Sequence, residues 1–118
     1  MKNGRKIEYI KIPDLTYGNV LEEAKIVWPP GSKSDPHDHR KSTGHIWILE
    51  GAIYQKVYDK KTKKFIKLSI YDVGELIIET PDIIHIMGNA SLIEFAVTKH
   101  IYSPPLRMKY YKLPELKK

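Results

Sequence analysis

The feature that most constrains the fold of this chain is a regular alternation of short apolar runs with turn-forming residues. Breakers such as Pro29-Pro30-Gly31, Glu50-Gly51 and Asp72-Val73-Gly74 separate runs that are rich in β-branched and aromatic residues. No run has the periodicity of an amphipathic helix. One helical turn is expected at residues 20–25, and the tail that contains Pro114 is expected to be irregular. We predict eight strands, at residues 7–10, 23–28, 45–49, 52–58, 65–70, 75–78, 83–87 and 92–101.

Strands of this number and spacing predict an all-β sandwich or small barrel. The 118 residues suffice for one hydrophobic core but not for two. We therefore expect a single domain over residues 1–118, with its core at about 20–106 and a basic C-terminal tail at 107–118.

Composition excludes several classes of function. The chain has no cysteine, which excludes disulfides, thiolate metal ligands and cysteine nucleophiles. The net charge is +6, but the lysines are scattered, with small clusters at residues 60–64 and 117–118, so we expect no nucleic-acid partner. Neither a membrane-length apolar run nor an apolar signal core is present, so we expect a cytoplasmic protein without a membrane partner.

The spacing of three histidines is the clearest indication of a functional site in the sequence. His37-Asp38-His39 places two imidazoles on one face of a strand, because alternate side chains of a strand share a face. His85, from a distant strand, would complete one side of a metal site. Asp38 is expected to point to the opposite face as a hydrogen-bond partner, and His45 to have a structural role.

The order of these signals resembles the cupin superfamily, which implies a small jelly-roll barrel, or double-stranded β-helix, with a metal near its axis. Most cupins carry a glutamate ligand where this chain has Gly44. Three neutral imidazoles would leave the charge of a divalent ion uncompensated by protein, which favours an anionic substrate group such as a thiolate or enolate. The matching residues are Gly31, His37, His39 and Gly51 in the first half, and Gly74, Pro81, His85 and Asn89 in the second.

A narrower resemblance is to the cysteine dioxygenase family of thiol dioxygenases, over about residues 28–106. It rests on motifs that follow one another in the family's order. These are Trp28-x-x-Gly31, His37-Asp38-His39, Ser42, Leu49-Glu50-Gly51, His85-x-x-x-Asn89-x-Ser91 and Thr98-x-His100-Ile101-Tyr102-Ser103-Pro104-Pro105-Leu106.

This resemblance implies a function and a cofactor. His37, His39 and His85 would bind Fe(II). Thr98, His100 and Tyr102 would form a catalytic hydrogen-bond relay on one face of a strand, with the tyrosine hydroxyl directed at the substrate and O2. The family reaction adds both atoms of O2 to the sulfur of a thiol and gives a sulfinic acid.

Two departures from the family bear on the substrate. In animal members the counterpart of Gly44 is a cysteine cross-linked to the counterpart of Tyr102; glycine makes room near the metal and allows no cross-link. The arginine that binds the substrate carboxylate has no counterpart, because residues 17–21 contain no arginine. This departure speaks against free cysteine as the substrate and leaves open another small thiol, such as a mercaptocarboxylate, or a compound without sulfur.

Other residues are candidates for contact with such a substrate. Arg40, Arg107 or Lys99 would bind an anionic group. Trp47 is a candidate for the pocket wall or for the core, as is Trp28.

Other functions remain open at the level of sequence. A cupin isomerase or epimerase acting on a sugar or keto acid would use His100 or Tyr102 to move protons. A non-enzymatic cupin that binds a metal or small ligand is the third possibility. An available edge strand makes a homodimer a further expectation.

Overall fold

Strands joined by turns and loops are the main regular structure in the described part of this chain. A computed structural model describes the backbone of residues 6–14, 19–103 and 109–116, and the side chains of residues 23–103 and 109–116. In this part of the chain no helix is long and apolar enough to cross a membrane. The elements are β1 (Lys6–Asp14), β2 (Asn19–Trp28), β3 (His37–Asp38), β4 (Thr43–Glu50), β5 (Ala52–Asp59), β6 (Phe65–Asp72), β7 (Leu76–Glu79), β8 (Ile83–Asn89), β9 (Ala96–Ser103), β10 (Lys109–Tyr110) and a short 3₁₀ helix (Leu113–Glu115).

These strands form two five-stranded antiparallel sheets. One has the order β1-β2-β9-β4-β7 and the other β10-β3-β8-β5-β6. Consecutive strands β4 and β5 lie in different sheets and are joined by Gly51 alone. The all-β jelly-roll architecture predicted from the sequence is confirmed.

The core lies between the sheets and contains side chains from both. Within β4 and β9 burial alternates residue by residue, so that one face of each strand is inside. Removing one such isoleucine from water contributes about 1.5–3 kcal/mol to folding. The main cluster consists of Ile26, Trp28, Ile46, Ile48, Ile53, Ile77, Met87 and Ala96.

A second apolar cluster packs the C-terminal segment onto β8. It contains Tyr58, Ile84, Ile86 and Tyr111, with Leu116 against it. Tyr111 is 7% exposed. The expectation that this tail is irregular is therefore wrong for residues 109–116, which contain β10 and the 3₁₀ helix.

Two further local expectations were wrong. Residues 20–25 lie in β2, where hydrogen bonds to β1 and β9 on both sides outweigh any local preference for a helical turn. Residues 92–94 are not in a strand. They form an exposed turn, in which the hydroxyl of Ser91 accepts from the backbone amides of Ile93 and Glu94, and β9 begins only at Ala96.

Substitution of Gly51 by alanine tests how closely the turn between the two sheets is packed. Gly51 has φ +72°, and a Cβ at this position would lie 2.7 Å from the carbonyl oxygen of Phe95. Gly74 is a matched control, because its φ is +89° but no atom lies within 4 Å of its Cβ position. We expect Gly74→Ala to cost about 1–2 kcal/mol from backbone strain alone. Gly51→Ala should cost about 1–3 kcal/mol more, as measured by urea unfolding. Equal losses would show that the turn relaxes.

Candidate metal centre

Three histidines from different parts of the chain converge in the interior. His37 lies in β3 directly opposite His85 of β8, and His39 follows β3. All three are buried, and their ligand-capable nitrogens lie within 4.8 Å of one another. The structure thus brings together the three residues that the sequence suggested as ligands.

The spacing of the imidazoles fits a single ion. The Nε2 atoms of His39 and His85 are 3.0 Å apart. Two nitrogens bound at about 2.1 Å to one ion, at right angles, would be separated by about 3.0 Å. Burial lowers the pKa of His39 and of His85 to about 3. Both rings are therefore neutral near pH 7 and can offer a lone pair to a metal.

Hydrogen bonds at Nδ1 fix how two of the rings face the cluster. The Nδ1–H of His37 donates to the carbonyl oxygen of Asp35 at 2.7 Å. Nδ1 of His85 lies 2.8 Å from Oε1 of Glu79 and 2.8 Å from the side-chain amide group of Gln55. With its hydrogen on Nδ1, the ring donates to the carboxyl oxygen of Glu79. In this tautomer each ring keeps Nε2 as the lone-pair atom. Such partners orient a metal-binding histidine and raise its basicity.

Glu79 was not recognised from the sequence. It lies at the end of β7 and is fully buried. The side-chain amide of Gln55, with its nitrogen facing the carboxylate, donates to Glu79 as well. Burial raises the pKa of Glu79 to about 8. The three imidazoles are thus not the only ionisable groups in this part of the interior, since the carboxyl group of Glu79 lies beside His85.

The alternation of inward-facing and outward-facing residues along a strand could have indicated that Glu79 and Gln55 point into the interior. Glu79 shares the inward face of β7 with Ile77, and Gln55 lies between Ile53 and Val57 on the inward face of β5. A polar side chain at an inward position needs a partner inside the protein.

Beside the histidines runs the predicted relay of Thr98, His100 and Tyr102. All three side chains lie on the inward face of β9. The hydroxyl of Thr98 is 2.6 Å from His100 Nε2, and His100 Nδ1 is 2.8 Å from the hydroxyl of Tyr102. Trp28 begins the series, since its indole Nε1–H donates to Thr98 Oγ1 at 2.9 Å. The ring of Tyr102 meets the ring of His39 edge to face, with 5.2 Å between centroids.

Gly44 lies between the relay and Glu79. A Cβ at this position would be 3.0 Å from Cε1 of Tyr102 and 3.5 Å from Cβ of Glu79. The first distance is tighter than ordinary contact, so a larger residue would displace the Tyr102 ring. The absence of a side chain at position 44 therefore sets the position of the tyrosine.

Other candidates from the sequence lie away from the cluster. Trp47 and His45 lie near each other on the face of β4 opposite Gly44, with 6.3 Å between ring centroids, because alternate residues of a strand point in opposite directions. The expectation that Trp47 lines the site or the core was therefore wrong. Lys99 is half-exposed on the outward face of β9 and pairs with Glu23 at 3.6 Å. The side chain of Arg40 is exposed, and Arg107 lies outside the described residues.

Asp38, between the two histidines, anchors the strand that carries them. Its carboxylate is fully buried and accepts from the hydroxyl of Tyr111 at 2.6 Å and from the backbone amide of Arg40 at 2.8 Å. Lys60 lies 3.7 Å away. Burial alone would raise the pKa of Asp38, but these donors and the lysine charge hold it below its usual value.

Comparison with known proteins relates this chain to one family. A family model described as cysteine dioxygenase type I matches residues 14–111. Cysteine dioxygenase type 1 of Rattus norvegicus is 33% identical over 86 residues, which cover 68% of this chain and 43% of that protein. The Mus musculus protein gives the same values. The chain therefore spans less than half the length of these relatives.

Solved structures show a likeness of fold at low identity. Peruvianin-I, described as a cysteine peptidase from Thevetia peruviana latex, gives a TM-score of 0.76 at 18% identity, over 95% of this chain and 69% of that one. Oxalate decarboxylase of Lactobacillus farciminis gives 0.74 at 15% identity, over 90% of this chain and 31% of that one. These likenesses support the cupin fold alone.

Tyr111→Phe tests the anchor of the ligand strand. It should lower the free energy of unfolding by about 1–3 kcal/mol, because the buried carboxylate of Asp38 loses a donor. The measurement is urea unfolding of the metal-free protein. The control is Tyr58→Phe in the same apolar cluster, since the Tyr58 hydroxyl makes no hydrogen bond within the described part of the chain. Equal effects of the two substitutions would contradict the anchoring role.

Proposed function

Because the chain belongs to the cysteine dioxygenase type I family, we propose that it is an iron-dependent thiol dioxygenase that converts a small thiol into a sulfinic acid with O2. The observation that carries this proposal is the contact between the histidine cluster and the relay, at the edge-to-face packing of His39 and Tyr102. A ligand set and a group that can donate a proton thus lie side by side in one buried space.

The proposed reaction balances without a further reductant. Two S–O bonds form, the O–O bond breaks and the thiol proton is released. The sulfur loses four electrons and O2 accepts them. The protein must therefore bring the two reactants together, control one proton and exclude water.

His37, His39 and His85 are the proposed ligands, through their Nε2 atoms. Ferrous iron held there would supply the one-electron chemistry that allows a spin-paired thiolate to react with O2. The donor set suits such an ion, because neutral imidazoles bind divalent first-row metals. Glu79 and the Asp35 carbonyl hold two of the three rings in the required orientation.

The relay gives the hydroxyl of Tyr102 a defined direction. The indole of Trp28 only donates, so Thr98 accepts from it and can pass its own hydroxyl hydrogen to Nε2 of His100. His100 then carries its proton on Nδ1 and donates it to the oxygen of Tyr102. We propose that the hydroxyl of Tyr102, in turn, acts as a donor to the reacting sulfur and oxygen atoms.

The low solvent exposure of the proposed ligands and relay residues supports the exclusion of water from the site. Among the proposed ligands and relay residues, no side chain is more than 6% exposed. In such a setting the electrostatic effect of each donor is stronger than in water.

The nature of the thiol is proposed from the charges near the site. Among residues 23–103 and 109–116, no lysine or arginine side chain is buried. A buried guanidinium clamp for a carboxylate is therefore absent from this part of the chain. This supports a small thiol other than cysteine, whose recognition does not depend on such a clamp.

Oxygen uptake tests the proposal directly. Protein loaded with Fe(II) under anaerobic conditions should consume O2 with at least one member of a panel that contains cysteine, an aminothiol and a mercaptocarboxylate. Mass spectrometry should show a product that has gained two oxygen atoms. His85→Ala should bind no iron and show no uptake. Absence of uptake across the panel, with iron verified in the wild-type protein, would favour the isomerase or ligand-binding alternatives.

Tyr102→Phe separates metal binding from proton control. The variant should keep its iron, because the ligands are unchanged, but turnover should fall about 100-fold, since a positioned proton donor typically contributes 10²–10⁴-fold. Part of the O2 should be consumed without sulfinate. Stoichiometry of O2 uptake against product is the measurement, with Tyr58→Phe as the control. Unchanged rate and stoichiometry would contradict the assignment of the relay.

A further inference from the structure

Glu79 extends the metal site beyond its three ligands. We propose that it is a positioning residue: its carboxyl group accepts from Nδ1–H of His85 and orients that ring toward the metal. Beside a bound divalent ion, its ionised form would supply the negative charge that the three neutral imidazoles lack. This inference rests on the metal centre of the proposed function. It adds a residue on which both the affinity for the ion and the reduction potential of bound iron depend.

Contact geometry assigns Glu79 to the outer side of His85. Its Oε1 is 2.8 Å from Nδ1 of His85, whereas Nε2 of the same ring faces His39 at 3.0 Å. The two nitrogens lie on opposite sides of the imidazole. Glu79 therefore acts through the ring, not as a fourth ligand, and by accepting from Nδ1–H it holds the lone pair at Nε2.

Outside the histidine cluster, the positive charge that acts on Glu79 in the described part of the chain is that of Lys67, whose side chain is exposed. The side chain of Glu79 is fully buried, and a buried carboxylate is costly unless it is paired or well hydrogen-bonded. No buried lysine or arginine lies in the part of the chain whose side chains are described. A divalent ion bound to His85 would supply the missing positive charge.

Neighbouring residues hold the carboxylate in place. The amide nitrogen of Gln55 donates to it. Gly44 pairs directly with Glu79 across β4 and β7, and its missing side chain leaves 3.5 Å between the Cβ position of residue 44 and Cβ of Glu79. The carboxylate thus reaches the cluster from the strand beside position 44, where most cupins carry a glutamate ligand.

Two substitutions of Glu79 separate the effect of its charge from the effect of its hydrogen bond to His85. Glu79→Gln removes the charge but leaves an amide oxygen that can still accept from Nδ1–H of His85. Glu79→Ala removes both charge and acceptor. The matched control is Glu50→Gln, which removes the same charge from an exposed position at the end of β4.

The experiment is anaerobic titration of metal-free protein with Fe(II) in competition with a chromophoric chelator. We expect Glu79→Gln to bind Fe(II) about 10–100-fold more weakly than wild type, Glu79→Ala to bind it more weakly still, and Glu50→Gln to bind it as wild type does. The reduction potential of bound iron should shift to more positive values in Glu79→Gln, because the lost negative charge had favoured the ferric state.

Stability of the metal-free protein separates this role from a merely structural one. Glu79→Gln should unfold at the same or a higher temperature than wild type, because it replaces a buried ionisable group by a neutral amide of the same shape. If Glu79→Gln lowered the stability of the metal-free protein but left the Fe(II) affinity unchanged, the inference would be overturned and the proposed function would stand. The same would follow if wild type and Glu79→Gln had equal Fe(II) affinity and equal reduction potential. Absence of Fe(II) binding to wild type would overturn the metal centre itself, and this inference with it.

Discussion

The pairing of β3 with β8 is the constraint on which the candidate site depends, because it places His37 directly opposite His85. A two-residue strand cannot hold such a register by its own hydrogen bonds. The preceding residues lengthen the pairing: Lys33 forms an isolated bridge with Gly88. Ser34 donates its backbone amide to the carbonyl of Met87 at 2.7 Å, and its hydroxyl accepts from the amide of Met87 at 3.0 Å.

On its other side β3 is held by the C-terminal segment. Tyr110 pairs with His37 in β10, and the amide of Tyr111 donates to the carbonyl of Pro36 at 2.9 Å. Together with the hydrogen bond from Tyr111 to Asp38, these contacts place the ligand strand between two partners. A site that must keep three imidazoles within one ion's reach needs such support, because small displacements of ligands weaken metal binding.

Part of this arrangement could be predicted from the sequence because it depends on local patterns. Strand alternation predicts that Thr98, His100 and Tyr102 share a face, and the structure places them so. Local patterns say less about partners that lie on other strands. Which residues face His85 depends on the β4–β7 and β5–β8 registers, so neither Glu79 nor Gln55 could be assigned to it from sequence spacing.

The interior of this small β-protein contains polar side chains, and their need for hydrogen-bond partners explains why they form a network. Each buried donor and acceptor must find a partner, since an unsatisfied buried group costs about 1–3 kcal/mol. Trp28 therefore serves both the apolar core and the relay, with its ring in the main cluster and its Nε1–H on Thr98. The same requirement that stabilises the fold also fixes the orientation of the groups proposed to act on the substrate.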